Sequence, residues 1–229
     1  MKFKAVFLDF YGTLVHEDDD ILPLIYDEVK RYSSDHIENL ETNHIGKYWS
    51  TAFFDLSRES YGDSFLTQRE IGIQSLTDTV RHFKSSCIAE DIIQTQFNHW
   101  IQPRLYEDTL PFLESIAGNP IYILSNIDRN DIMSALSFHG ISVTDVITSE
   151  DVRSYKPRSE LFEEGLRRSG CTAHEVIHIG DSLASDIEGA QRLGIKAIWI
   201  NRLGRKLPDH YKPDYIYRNL SEINLESLS

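Results

Sequence analysis

Short apolar runs closed by turn residues recur along the chain at Phe3 to Phe10, Ile121 to Leu124, Val143 to Ile147, Val176 to Ile179 and Ala197 to Ile200. Continuous runs of this length predict strands buried on both faces, because a strand with one wet face would alternate polar and apolar positions. Between the later runs the apolar positions switch to helical spacing. Asp128 to Phe138 places Ile132, Ala135 and Leu136 inward, Ser159 to Arg168 does the same with Leu161, Phe162 and Leu166, and Ser185 to Leu193 follows. Strand alternating with helix predicts a parallel sheet covered by helices on both faces. The first run breaks this rhythm, since no comparable strand candidate follows it before Ile121. That interval carries amphipathic helix patterns instead, among them Leu22 to Tyr32 and Ile88 to Ile101. The chain therefore divides into an α/β core of residues 1–14 and 105–229 and a helical insertion of residues 15–104.

The insertion is rich in aromatic residues, including Tyr26, Tyr48, Trp49, Phe53, Phe54, Phe97 and Trp100. A small helical bundle needs such large side chains for its own core. The acidic run Glu17 to Asp20 reads as a solvated helix entry with Asp20 as the N-cap. Composition narrows the partners. With 23 Lys and Arg against 36 Asp and Glu, the net charge of −13 disfavours nucleic acid and anionic membrane surfaces, both of which select basic footprints. The N-terminal apolar run is far shorter than a membrane span. The two cysteines, Cys87 and Cys171, suit neither a disulfide framework nor a thiolate zinc site, and predict a cytoplasmic protein with free thiols. The nine histidines show no metal-ligand spacing. A small anionic molecule is the expected ligand, and a monomer or homodimer the expected assembly.

Ligands of open parallel sheets bind beyond the carboxyl ends of the strands, and those ends carry the candidate chemistry. The first strand runs into Asp9-Phe10-Tyr11-Gly12-Thr13, and the second into Ser125-Asn126. The third leads on to Lys156-Pro157, and the fourth runs into Gly180-Asp181-Ser182 with Asp186 beyond. Carboxylates, a hydroxyl, an ammonium and glycine turns are thus expected at one edge. Such a set suits a hard cation such as Mg²⁺ with a phosphate-like group, the carboxylates holding the metal while Lys and loop amides hold the anion.

In order and spacing these segments resemble the haloacid dehalogenase-like hydrolase superfamily. Its motifs stand here as Asp9-Phe10-Tyr11-Gly12-Thr13-Leu14, Ser125-Asn126, Lys156-Pro157, and Gly180-Asp181 followed by Asp186. The resemblance implies an α/β, Rossmann-like parallel-sheet core domain with an inserted helical cap domain of the family's first class. It implies that Asp9 is the nucleophile, assisted by Thr13, and that Ser125, Asn126 and Lys156 steady the transferring group. It further implies that Asp9, the Tyr11 carbonyl and Asp181 bind Mg²⁺, with Asp186 orienting Lys156 or standing in the outer sphere of the metal.

Tyr11 departs from the phosphatase pattern, because phosphatases of the superfamily keep a second Asp there as general acid and base. A phenol with a pKa near 10 is a poor base at neutrality. Tyr at this position resembles the metal-free 2-haloacid dehalogenases, in which halide departs without a proton. The fourth motif argues the other way, since Asp181 stands where a metal ligand is expected. The dehalogenases' substrate-binding Arg has no assigned counterpart, although Arg58 and Arg69 lie in the insertion. The favoured expectation is an Mg²⁺-dependent hydrolase of a small phosphorylated metabolite. A dehalogenase-like enzyme working through an Asp9 ester and a catalytically idle binding protein are the alternatives. Lys47, ahead of Tyr48-Trp49, is the expected substrate contact in the insertion.

Overall fold

In the computed structural model, which describes residues 3–34 and 40–228, strands β1 (Ala5–Leu8), β2 (Ile121–Ser125), β3 (Asp145–Thr148), β4 (Val176–Gly180), β5 (Lys196–Ile200) and β6 (Tyr215–Tyr217) form one sheet. Every pairing is parallel and the order is β3-β2-β1-β4-β5-β6. The helices are α1 (Leu22–Arg31), α2 (Thr42–Glu59), α3 (Gln68–His82), α4 (Ala89–Ile92), α5 (Gln94–Ile101), α6 (Thr109–Ser115), α7 (Arg129–His139), α8 (Ser149–Val152), α9 (Glu160–Ser169) and α10 (Gly189–Gln191).

The chain forms two compact units. One comprises Met1–His16, Arg104–Asn126 and Ile141–Ser229, and the other comprises Glu17–Pro103 and Ile127–Gly140. In the first unit β1 lies at the centre of the sheet with all four residues buried, which is why its sequence is uninterrupted AVFL. Phe7 sits in register between Tyr122 of β2 and His178 of β4. One face of the sheet packs Phe7, Tyr122, Leu124, Val176 and Trp199 against Leu161 and Phe162 of α9 and Ala190 of α10. Gly165 lets α9 approach, since a Cβ there would lie 3.1 Å from the Phe7 ring.

The second unit is built from α1 to α5 and α7. Trp49 of α2 donates its indole N–H to the Ser75 hydroxyl of α3 at 2.9 Å, and Tyr26 of α1 meets the Trp49 ring edge-on. Asp128 accepts the backbone N–H groups of Gln68 and Arg69 at 2.7 and 2.9 Å, capping the start of α3 from a distant segment. Asp131 takes the Arg69 guanidinium in a two-pronged pair at 2.6 and 2.8 Å.

Several local expectations are corrected. The helix expected over Ile88 to Ile101 breaks at Ile93 into α4 and α5. The helix expected from Ser185 begins instead as a π-helical turn, Leu183–Glu188, that runs into α10. Asp20 is not the cap of α1; Ile21 stands there with no side-chain cap. Asp18, in the run read as solvated, accepts hydrogen bonds from Gln96 and Trp100. Strand β6 escapes a hydropathy reading because it is three residues long and only partly buried.

Candidate active site

Each candidate side chain in the first unit is set by the end of a strand. Strand β1 stops at Asp9, whose backbone N–H still bonds to Ile179 of β4 at 2.9 Å. The chain then folds back through Gly12, whose amide reaches the Val15 carbonyl at 2.8 Å. Gly12 adopts φ +81°, and a Cβ there would fall 2.7 Å from the Asp181 carboxyl carbon. Glycine is thus required both for the turn and for the close approach of Asp181. Gly180 has a parallel role, because a Cβ on it would lie 2.3 Å from the Asp186 carboxyl carbon.

The acidic groups converge. Asp9, Asp181 and Asp186 each offer a carboxylate oxygen within 4.8 Å of the others. Lys156 enters their midst with its side chain 2 % exposed. Its ammonium donates to Asp9 Oδ1 at 2.7 Å, to Asp186 Oδ1 at 2.6 Å and to the Leu124 carbonyl at 2.9 Å, which uses all of its donors. Thr13 donates its hydroxyl to the other Asp9 oxygen at 3.2 Å. Asn126 accepts the Lys156 backbone N–H on its side-chain oxygen at 2.7 Å, so it fixes the stem of the lysine. Ser125 is buried at the end of β2. Tyr11 is half-buried with its ring edge-on to Phe10.

The charges do not balance. Burial pushes the Asp9 carboxyl up to about 6, with Lys156 pulling it down and Asp186 pushing it further up. Burial likewise pushes Asp181 up to about 7, reinforced by Asp186 and Asp9 and opposed by Arg205. Asp186 ends below its ordinary value, because Lys156 and His178 outweigh the effect of burial. For Lys156 burial works downward, yet the Asp186 and Asp9 carboxylates hold it above its usual range. Carboxyls crowded by like charge and short of counter-charge match what a hard divalent cation requires, so the acidic cluster is suited to a metal ion. Among the described residues no histidine or cysteine joins such a group. His36 lies outside the described residues.

Other residues of the site escape sequence reasoning. Arg205 donates to the Asp181 carbonyl at 3.1 Å and to its carboxylate at 3.2 Å. Trp199 donates its indole N–H to the same carbonyl at 2.8 Å. Asn201 holds the backbone of Arg205 through both ends of its amide, at 2.8 Å each. Arg202 donates to the Thr13 carbonyl at 2.7 Å, forks onto Asp108 at 3.1 and 3.0 Å and stacks on Tyr106. The Asn-Arg pair after the fifth apolar run is the only sequence signal for these, and it is faint. Lys47 lies on α2 in the second unit with its side chain exposed.

A parallel sheet with acidic groups at its carboxyl edge and an inserted helical segment defines a class of α/β hydrolase. The model of the haloacid dehalogenase-like hydrolases matches residues 3–194, and the chain belongs to that family. It is 35 % identical over 110 residues to haloacid dehalogenase-like hydrolase domain-containing protein 3 of Danio rerio, covering 44 % of this chain and 43 % of that one. It is 38 % identical over 80 residues to a glyceraldehyde 3-phosphate phosphatase of Methanocaldococcus jannaschii, covering 34 % and 35 %. The chain thus spans less than half the length of these curated relatives. In fold it resembles the L-2-haloacid dehalogenase of Xanthobacter autotrophicus, with a TM-score of 0.73 at 18 % identity over 96 % of both chains. No helix among the described residues is long and apolar enough to cross a membrane.

Proposed function

We propose that the protein is a Mg²⁺-dependent phosphohydrolase that acts on a small phosphorylated metabolite through a covalent aspartyl phosphate on Asp9. The observation that carries this reading is the surplus of buried carboxylate around Lys156, with Asp9 and Asp181 both pushed well above their ordinary range. The likeness to a glyceraldehyde 3-phosphate phosphatase supports it. Mg²⁺ held by Asp9, Asp181 and the Tyr11 carbonyl, with Asp186 beside it, would supply Lewis-acid polarisation and neutralise charge on the transferring group.

The remaining work falls to the chain's own residues. An Asp9 carboxylate oxygen attacks phosphorus, the bond from phosphorus to the leaving group breaks, and water later attacks the aspartyl phosphate to release phosphate and restore Asp9. Lys156 holds Asp9 ionised and presents positive charge to the phosphoryl oxygens, Asn126 holds the Lys156 backbone in place, and Ser125 is assigned to the same phosphoryl group. Thr13 orients Asp9 through its hydroxyl. Tyr11 puts a phenol, a poor base at neutrality, where the phosphatase pattern keeps its acid and base, so the leaving group is one that departs with little proton assistance. An acyl phosphate, an aryl phosphate and a phosphonate with a stabilised carbanion meet that condition. The helical unit acts as the cap, and Lys47 is its substrate contact.

A panel of acyl, aryl and alkyl phosphates assayed with Mg²⁺ and with EDTA tests the reading. Turnover of the acyl or aryl members that EDTA abolishes is expected; turnover indifferent to EDTA, or none on any member together with no beryllofluoride adduct on Asp9, overturns it.

Tyr11 favours a second reading, a metal-free dehalogenase in which Asp9 attacks carbon, the carbon–halogen bond breaks, and water hydrolyses the resulting ester. Release of chloride from 2-chloropropionate in chelator would carry it. Against it, Arg69 is forked onto the buried Asp131 and so is spent within the helical unit rather than offered to a substrate carboxylate.

A further inference from the structure

His178 stands in the middle of β4, fully buried, between Phe7 of β1 and Ala197 of β5. Phe162 of α9 approaches its ring edge-on at 5.1 Å. Its neighbours along the strand, Ile177 and Ile179, are also fully buried. A leucine or phenylalanine would suit such a place better, because burying a polar group without full pairing costs roughly 1–3 kcal/mol. The imidazole therefore invites a functional explanation.

Its hydrogen bonding supplies one. The Nε2 atom lies 3.1 Å from Asp186 Oδ1, and Nδ1 has no partner among the described residues. An orphaned lone pair is tolerated in protein interiors more readily than an orphaned N–H. The ring thus carries its proton on Nε2 and donates it to Asp186.

Asp186 is consequently gripped by three donors. Oδ1 receives His178 Nε2 and Lys156 Nζ, and Oδ2 receives the Ser182 backbone N–H at 3.0 Å. Gly180, with no Cβ in the way, allows the carboxylate to fold back toward β4. The ammonium that Asp186 holds also touches Asp9, so the orientation of the imidazole passes through one carboxylate and one lysine to the nucleophile.

We propose that His178 is a positioning residue: its Nε2–H locks the Asp186 carboxylate in the orientation that places the Lys156 ammonium on Asp9. The inference rests on Asp9 being the nucleophile of the proposed reaction, but its structural content stands apart from any substrate.

The test uses ¹⁵N-histidine and ¹⁵N-lysine labelling of the full chain, with His178→Gln and His178→Leu beside the wild type. Glutamine can present an amide N–H near the position of Nε2, whereas leucine keeps the bulk and removes the donor. The expected result is a neutral His178 protonated on Nε2, and a hydrogen-bonded Lys156 ammonium signal that persists in His178→Gln and disappears in His178→Leu. With acetyl phosphate and Mg²⁺, kcat should fall about tenfold in His178→Leu with KM little changed, and recover to within about threefold in His178→Gln, as expected for slight misplacement of a catalytic group. A ring protonated on Nδ1 overturns the proposal, as does a Lys156 signal indifferent to the leucine substitution. If His178→Leu does not fold, the wild-type tautomer and the glutamine variant still decide. If the wild type leaves acetyl phosphate intact, the proposed function suffers while the lysine signal still judges the role of His178.

Discussion

Asp9, Asp181 and Asp186 in the sheet unit gather around Lys156 and the half-exposed Arg205, whereas Asp128 and Asp131 in the helical unit gather around Arg69 and two backbone amides. Both groups of carboxylates are largely buried, and their wiring differs. In the helical unit each of the four carboxylate oxygens has its own donor, at 2.6 to 2.9 Å. In the sheet unit burial and the neighbouring Asp186 carboxylate push two carboxyls, Asp9 and Asp181, above their ordinary pKa. A satisfied cluster fastens helices together. One that crowds three carboxylates together retains a demand for positive charge that a ligand can meet, and that difference separates scaffold from site.

The sharpest way to break this comparison is Asp9→Asn, which removes the nucleophile while leaving Lys156 paired with Asp186. Turnover of any accepted substrate should fall by at least about 10³-fold, with the folded state retained by circular dichroism. Lys156→Met comes next. It strips both buried carboxylates of their counter-ion, so activity should drop about 10²-fold and unfolding free energy by about 3–5 kcal/mol, read from denaturant titration.

Acidity probes the imbalance directly. A carboxyl whose pKa is higher in the folded chain than in the unfolded one takes up its proton first when folded, so it adds stability as pH falls through the folded value. Asp181 at about 7 and Asp9 at about 6 should therefore make the metal-free protein more stable between about pH 7 and pH 4, relative to Asp181→Asn, which lacks the larger share. Melting in EDTA across that range measures the difference, and a variant with an unaltered slope would remove the electrostatic argument for a cation site. Asp128→Ala should cost about 1 kcal/mol through the lost cap on α3, with no dependence on Mg²⁺. The smallest effect is expected of Lys47→Ala, a rise in KM of about threefold with kcat unchanged, as for an exposed charge at the rim of a binding surface.

The parts of the site visible in the sequence are those that sit where a strand runs out. Asp9, Ser125 and Asp181 each follow an apolar run, and strand ends in a parallel sheet share one edge, so their convergence follows from topology alone. Lys156 and Asp186 need only a short further stretch of chain. His178 was hidden because an apolar run with one histidine reads as core, and its bond to Asp186 exists only once the π-helical turn has brought that carboxylate back. Arg205 was hidden for another reason: its placement depends on the Asn201 clasp and on Gly204 at φ +61°. The helical unit was legible as helices but not in its boundary. Nothing in the pattern of Asp128 to Phe138 says that this helix, lying between two strands in sequence, joins α3 and α5 in one compact body.

That last association bears on how such a protein can be rebuilt. Recombining this insert with another member of the family at the obvious splice points, either side of residues 17–103, would leave α7 behind and deprive α3 of the carboxylate that accepts its first two amides. A successful graft must carry residues 127–140 as a second cassette, so chimeras made with one exchange and with two should differ in whether the transplanted helices hold together.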